Sequence, residues 1–456
     1  MTAETRGATA ALAEYAIGVD AAEVPDAVLE KARVVLADTI AILLAASARN
    51  AVRTALRTFP SVPGAPCTVV GHGTFATPEQ AAFINGVGGH DLELDDTHAS
   101  SRTHAAAVIV PAALAAAEAA GNVNGADLVA GVVAAYDVQC RTSKAIGVQD
   151  QFDRNFHPTC VNGSIGAAVA AGRILGLSVG QLTSAIGLAG SQSSGTMGIH
   201  DDHSHMVKSF QTGIAARNGL YAALLAREGF MGMPDILTGA HDFLGCFGRQ
   251  SRPAELTADL GVRYEILGSS IKRHSGCGMT HSAIDALLGI MNDDSVTWTD
   301  IDAIDVALPH GAVTVINDHP LWTHNIQYVL ALAAHERWVG PDHFTPEWTT
   351  NPEIAALKER VTLRGSDRLQ TKFPAKKGAT VRVSTTLGVF EREVEAPAGN
   401  PSAPLTAEAL RSKFDGLATA VLSRESSDAL WQLLSKVESL PDTAAIFALL
   451  GGMSEG

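Results

Sequence analysis

Four short stretches hold most of the side chains able to move protons or gather charge. The first is His90-Asp91-Leu92-Glu93-Leu94-Asp95-Asp96-Thr97-His98, followed by Arg102-Thr103-His104. A carboxylate that accepts from one ring nitrogen of a histidine fixes its tautomer and strengthens it as a base, so Glu93 or Asp96 with His104 would form an acid/base unit. The alternative is a solvated, acid-rich loop with Thr103 as a helix cap. The second stretch, Asn155-Phe156-His157-Pro158-Thr159, sets His157 at a helix entrance, where a lone histidine is more often structural than catalytic.

The third stretch runs from Gly195 to Lys208 and includes His200, Asp201, Asp202, His203 and His205. Imidazole and carboxylate suit divalent cations, yet the order matches no metal motif and lacks the H-E-x-x-H spacing. The expectation is no metal, with a metal-dependent hydrolase or metal-binding module on His200–His205 as a distant alternative. Lys208 is a point charge that can hold a carboxylate. In the fourth stretch, Lys272-Arg273-His274-Ser275-Gly276-Cys277-Gly278-Met279-Thr280-His281, two cations and a small-residue loop open a helix, which makes a cradle for an anion. Cys277 has no assignable base beside it and reads as a core or loop thiol.

These groups need a frame. The 456 residues are 46% hydrophobic and 18% charged, enough for a large buried core and far too apolar for a disordered chain. Lys plus Arg number 33 against 48 Asp plus Glu, a net charge of −15. That field repels nucleic acid and anionic membrane, and if the substrate is itself an anion, such as a small carboxylic acid, its site has to gather local positive charge. Five scattered cysteines without a C-x-x-C pair predict reduced thiols and a cytoplasmic setting. The opening residues show no apolar leader, and the Ala-rich run 105–120 is too short to span a bilayer.

From Val24 to Ala46 apolar residues recur every four positions at Val28, Ala32, Leu36, Ile40 and Leu44, which predicts a helix. Helical Ala/Leu/Gly-rich stretches follow at 105–120, 126–136, 162–175, 180–190 and 213–229. After about residue 267 the period becomes two, with Ile304, Val306 and Leu308, and then Val381, Val383, Thr385 and Leu387. Gly388 separates that run from 389–394, as in a hairpin. A last helical region runs from about Thr406 toward Leu450. The expected architecture is mainly α: a helical domain 1–266, an α+β domain 267–400, and C-terminal helices 401–456 that return to the first.

Taken in order, HDLELDDTH, FHPTCVNGSIGAAVAAGRILGLS, GTM…K…TGIAARNGLYAALLAREGF, IKRHSGCGMTH, NIQYVLALA and GNPSAPLT…KF resemble the MmgE/PrpD family. The resemblance implies a large all-helical domain with a smaller α+β domain inserted, a homodimer, and a lyase that needs no cofactor. The implied chemistry is dehydration of a methylcitrate-like hydroxy-polycarboxylate, with cis-aconitate-type decarboxylation or epimerisation through the same carbanion as alternatives. It carries over Glu93 (Asp is usual there), Thr97, His104, His157, Lys208, Lys272 and Tyr328, and aligns Cys277 with a histidine of the decarboxylases. In the implied roles, Lys208 and Lys272 bind carboxylates, His104 is a base oriented by Glu93, and His157 or Tyr328 is the acid. The chain departs from the family at Gly278, where an arginine is common and Arg102 or Arg273 would have to substitute, at Gln211 in place of a histidine, and in the HDDHSH insert. No G-x-G-x-x-G follows a strand.

Overall fold

The computed structural model describes residues 7–59, 62–121, 123–202, 204, 206–373 and 376–451. They form two compact units, one holding the chain up to Asp91, Asp95–Ser269 and the chain from Ala407 on, the other Leu92–Leu94 with Ser270–Thr406. The first is all but wholly helical and the second is a smaller α+β insertion.

The helical unit contains α1 (Asp26–Ala46), α2 (Pro78–Asp91), α3 (Ala106–Ala120), α4 (Gly125–Ile146), α5 (Pro158–Ile174), α6 (Val179–Ser191) and α7 (Met206–Arg227). The predicted helices are found, with α4 ten residues longer at its C-terminal end than the apolar stretch 126–136. Its last turns bury polar side chains, Gln139, Arg141, Thr142 and Ser143, which hide the helix from an apolar pattern. Small residues set how closely the helices approach. A Cβ on Gly86 of α2 would stand 2.9 Å from the Gly213 Cα of α7, and one on Gly219 would stand 2.4 Å from the Ala167 Cβ of α5. Pro111 inside α3 has no N–H for the Ala107 carbonyl, and Gly89 of α2 packs there, its notional Cβ 2.7 Å from that oxygen.

The inserted unit contains α8 (His281–Asp293), β1 (Ile301–Leu308), α9 (Ile326–Glu336), β2 (Val361–Gly365), β3 (Ala379–Thr385) and β4 (Gly388–Val394). The strand order is β2-β1-β3-β4, with β1 and β2 parallel and the other pairs antiparallel. Gly388, with φ 141°, starts β4 opposite Thr385, so the hairpin turns there. Ile304, Val306, Val381 and Val383 join Ile284, Leu287, Val329 and Leu330 in one buried core between sheet and helices. The chain then re-enters the helical unit as α10 (Ala407–Ala418), α11 (Arg424–Leu434) and α12 (Ala444–Leu450). All five cysteines are free thiols. Among the described residues, no helix is long and apolar enough to cross a membrane.

Candidate active site

In the helical unit, chain ends of four helices bring three imidazoles together. His90 lies in the last turn of α2, His104 two residues before α3, and His157 at the N-cap of α5, whose Pro158 occupies the first helical position. The rings of His90 and His104 are 4.4 Å apart, and those of His90 and His157 stack at 6.4 Å. The His104 backbone N–H donates to Thr159 Oγ1 of α5 at 3.1 Å, which ties the entrance of α3 to that of α5. Lys208 and Gln211 lie one turn apart near the start of α7. Three helix N-termini therefore surround the imidazoles, and their field favours an anion.

Asp95 joins two of the rings. Its Oδ2 lies 2.6 Å from His90 Nδ1 and 2.8 Å from His104 Nδ1. This corrects the pairing expected for His104: the carboxylate at its ring nitrogen is Asp95, not Glu93 or Asp96. Asp96 has a different task. Its Oδ1 accepts from the Ala106 backbone N–H at the start of α3, and its Oδ2 accepts from Tyr136 and Ser269 hydroxyls, both at 2.9 Å. Burial raises the Asp96 pKa to about 6 despite those bonds.

His157 Nδ1 lies 2.6 Å from Gln211 Oε1. Burial, with His90, Lys208 and His104 nearby, holds its pKa well below the usual imidazole range, so it is neutral at physiological pH. His90, Asp95 and His104 also offer three ligand atoms within 4.8 Å of one another, a donor set that suits a divalent cation. The short separations at Asp95 argue otherwise, because two ligands of one tetrahedral zinc at about 2.0–2.1 Å would stand about 3.3 Å apart. At these separations Asp95 Oδ2 is hydrogen-bonded to His90 Nδ1 and stands at ion-pair distance from His104 Nδ1.

Glu93 belongs to the inserted unit, where its left-handed backbone (φ 51°) and its carbonyl are held from the segment 272–276. Lys272 Nζ donates to the Glu93 carbonyl at 2.9 Å and lies 3.4 Å from its carboxylate, both residues being buried. The Gly276 N–H also donates to the Glu93 carbonyl and Ser275 Oγ to that of Leu92. Cys277 is half-buried in this loop, its N–H bonded to the Thr323 carbonyl. Arg273 is exposed.

Tyr328, expected as an acid, is buried in α9 with its hydroxyl donated to the His343 carbonyl. Burial raises its pKa, which keeps the phenol protonated. Arg102, with φ 51°, reaches Gln149 at 3.4 Å and stacks over Phe152 at 5.1 Å. Thr97 is half-buried in the two-residue strand Thr97–His98. His203, His205 and the side chain of His200 lie outside the described residues; beside them, Asp202 caps the start of α7 by accepting from the Val207 N–H at 2.7 Å.

The sequence patterns single out His104, His157 and Lys208, and the structure sets His90, Asp95 and Gln211 beside them. His90 and Asp95 stood in the same acid-rich stretch, and a spacing of five residues across a helix end carries no contact signal. Gln211 had a visible signal, since it replaces an expected histidine one turn from Lys208.

Residues 10–256 match the MmgE/PrpD N-terminal domain and residues 274–438 the MmgE/PrpD C-terminal domain. The chain is 28% identical over 475 residues to a cis-aconitate decarboxylase-like protein, oryM, of Aspergillus oryzae, with 97% of each chain covered. It is 27% identical over 477 residues to a cis-aconitate decarboxylase of Aspergillus terreus, covering 97% of this chain and 96% of that one. With the Homo sapiens cis-aconitate decarboxylase it shares 26% over 394 residues, 83% of this chain and 80% of the human one.

Proposed function

The chain belongs to the MmgE/PrpD family, and from that premise we propose that it is a lyase that decarboxylates a small unsaturated polycarboxylate of the cis-aconitate class. The observation that carries this is the cluster of three imidazoles and one carboxylate at the entrances of α3, α5 and α7, in a chain whose relatives are named for that reaction. Loss of carbon dioxide leaves an electron pair beside a remaining carboxylate. The ammonium group of Lys208 and the helix N-termini stabilise that charge, and a proton must then be delivered to carbon. His104 suits delivery, because Asp95 at 2.8 Å matches the charge of its imidazolium form. His157 is kept neutral.

A second reading has its own support. One imidazole paired with a carboxylate and another held neutral also make an acid and a base, which dehydration of a hydroxy-polycarboxylate needs. Purified protein incubated with cis-aconitate, citrate and 2-methylcitrate separates the two. Carbon dioxide release from cis-aconitate is the expected result. A new unsaturated acid from citrate or methylcitrate without gas would replace decarboxylation by dehydration, and silence on all three would remove both.

A further inference from the structure

Gln211 stands between His157 and a backbone carbonyl, and the identities of its partners settle which way every proton points. Residues 155–157 run beside 195–197: Phe156 and Thr196 form an antiparallel bridge, His157 N–H donates to the Gly195 carbonyl at 3.0 Å, and Met197 N–H to that of Asn155 at 2.9 Å. The Thr196 carbonyl faces Gln211 at 3.0 Å. A carbonyl can only accept, so the Gln211 atom facing it is the NH2 group, and the other end of the amide, facing His157 Nδ1 at 2.6 Å, is Oε1. Oε1 also can only accept, so Nδ1 carries a hydrogen.

We propose that Gln211 is a positioning residue that locks His157 as its Nδ1–H tautomer, so that His157 works through the Nε2 lone pair and takes a proton or hydrogen bond there. It has none to give at that atom, and the acid of the reaction is another group. The helix supports the lock, because Gln211 is buried and the Cys160 thiol donates to its carbonyl at 3.2 Å. The ionisable groups near the ring are His90 on α2, His104 before α3 and Lys208 on α7, with Asp95 bound to both histidines. Lys208 and the two histidines weigh against an imidazolium at His157, and an amide, unlike a carboxylate, adds no charge to call one up.

The role in turnover rests on the lyase reading; the tautomer does not. Nitrogen-15 NMR of histidine-labelled protein reads the tautomer directly, with the His157 signals identified by their loss in His157→Gln. The expected pattern is a protonated Nδ1 and a bare Nε2 from neutral pH into the acid range. Gln211→Glu places a carboxylate at Nδ1, so His157 is expected to become imidazolium at higher pH, moving the acid limb of kcat/KM upward by about 1 pH unit or more. Gln211→Met removes the acceptor at similar volume, and a mixture of tautomers is expected with a fall in kcat larger than any rise in KM. A wild-type His157 protonated at Nε2 overturns the proposal without any variant, as does a Gln211→Glu protein whose His157 titration and acid limb stay where they were. If none of the acids is turned over while the NMR pattern holds, only the lyase reading fails.

Discussion

The helical unit buries two histidine networks, and they use their rings in opposite ways. His98 accepts at Nδ1 from the Ser101 backbone N–H at 3.3 Å, faces Ser101 Oγ at 2.7 Å, and points Nε2 at the Glu265 carboxylate 3.5 Å away. Both nitrogens are in use, the tautomer is Nε2–H, and burial pushes the pKa down to about 4. His157 commits Nδ1 to Gln211 in the opposite tautomer, and among the described residues its Nε2 makes no hydrogen bond. His90 is alike, with Nδ1 on Asp95 and a buried Nε2 that no described residue satisfies. An imidazole tied at both nitrogens is scaffold, whereas one tied at a single nitrogen is aimed and can still exchange a proton.

That contrast breaks or sharpens on five substitutions. His104→Ala is expected to lower kcat/KM for cis-aconitate about 10²–10⁴-fold with the far-ultraviolet circular dichroism unchanged; a loss under about tenfold would end its role as proton donor. Asp95→Asn leaves both rings in place without their charge and should cost about 10–100-fold in the same assay. Glu93→Gln, in the other unit, should instead act on stability, since it leaves Lys272 buried without its counter-charge. Equal activity losses in the two variants, with unchanged melting in both, would erase the distinction between Asp95 and Glu93.

His98→Gln should do the reverse of His104→Ala, lowering unfolding free energy by about 1–3 kcal/mol while activity per folded molecule stays within a few-fold. The sign with pH follows from the depressed pKa. Between about 6.5 and 4 the unfolded chain binds a proton at His98 and the folded chain does not, so stability falls as pH falls through that window, by about 3 kcal/mol for this group. Denaturant titrations at pH 7 and pH 4.5 should therefore show a smaller loss in His98→Gln than in the wild type. Arg273→Ala marks the low end: the residue is exposed, and melting should place its stability within about 0.5 kcal/mol of the parent. A larger change would show that its attraction to the buried Asp285 carboxylate carries weight in the fold.

Much of the scaffold is legible as periodicity. The four-residue stripe of α1, the alternation in β1 and that in β3 as far as Thr385 lie where the pattern puts them, whereas Leu387, expected in the same strand, falls in the turn before Gly388 opens β4. Polar side chains mislead in proportion to how deeply they are buried: α4 outruns its apolar stretch because Gln139, Arg141 and Thr142 are inside. In the site, residue type marked His104, His157 and Lys208 as candidates, but four acids within six positions gave no means of choosing Asp95. Residue type named Tyr328 as a phenol, and only the fold shows that its hydroxyl meets the His343 carbonyl.

Family, helix-rich architecture and the inventory of imidazoles, amines and carboxylates are properties of the linear chain, because they follow from composition, spacing and local propensity. Partner choice is not. Around the left-handed Glu93, that residue meets Lys272 while Asp95 meets His90 and His104, and the ring of His90 comes to rest 6.4 Å from that of His157. Hydrogen bonds act over less than about 3.5 Å, so an imidazole's partner and tautomer are set only once distant segments have packed to that tolerance.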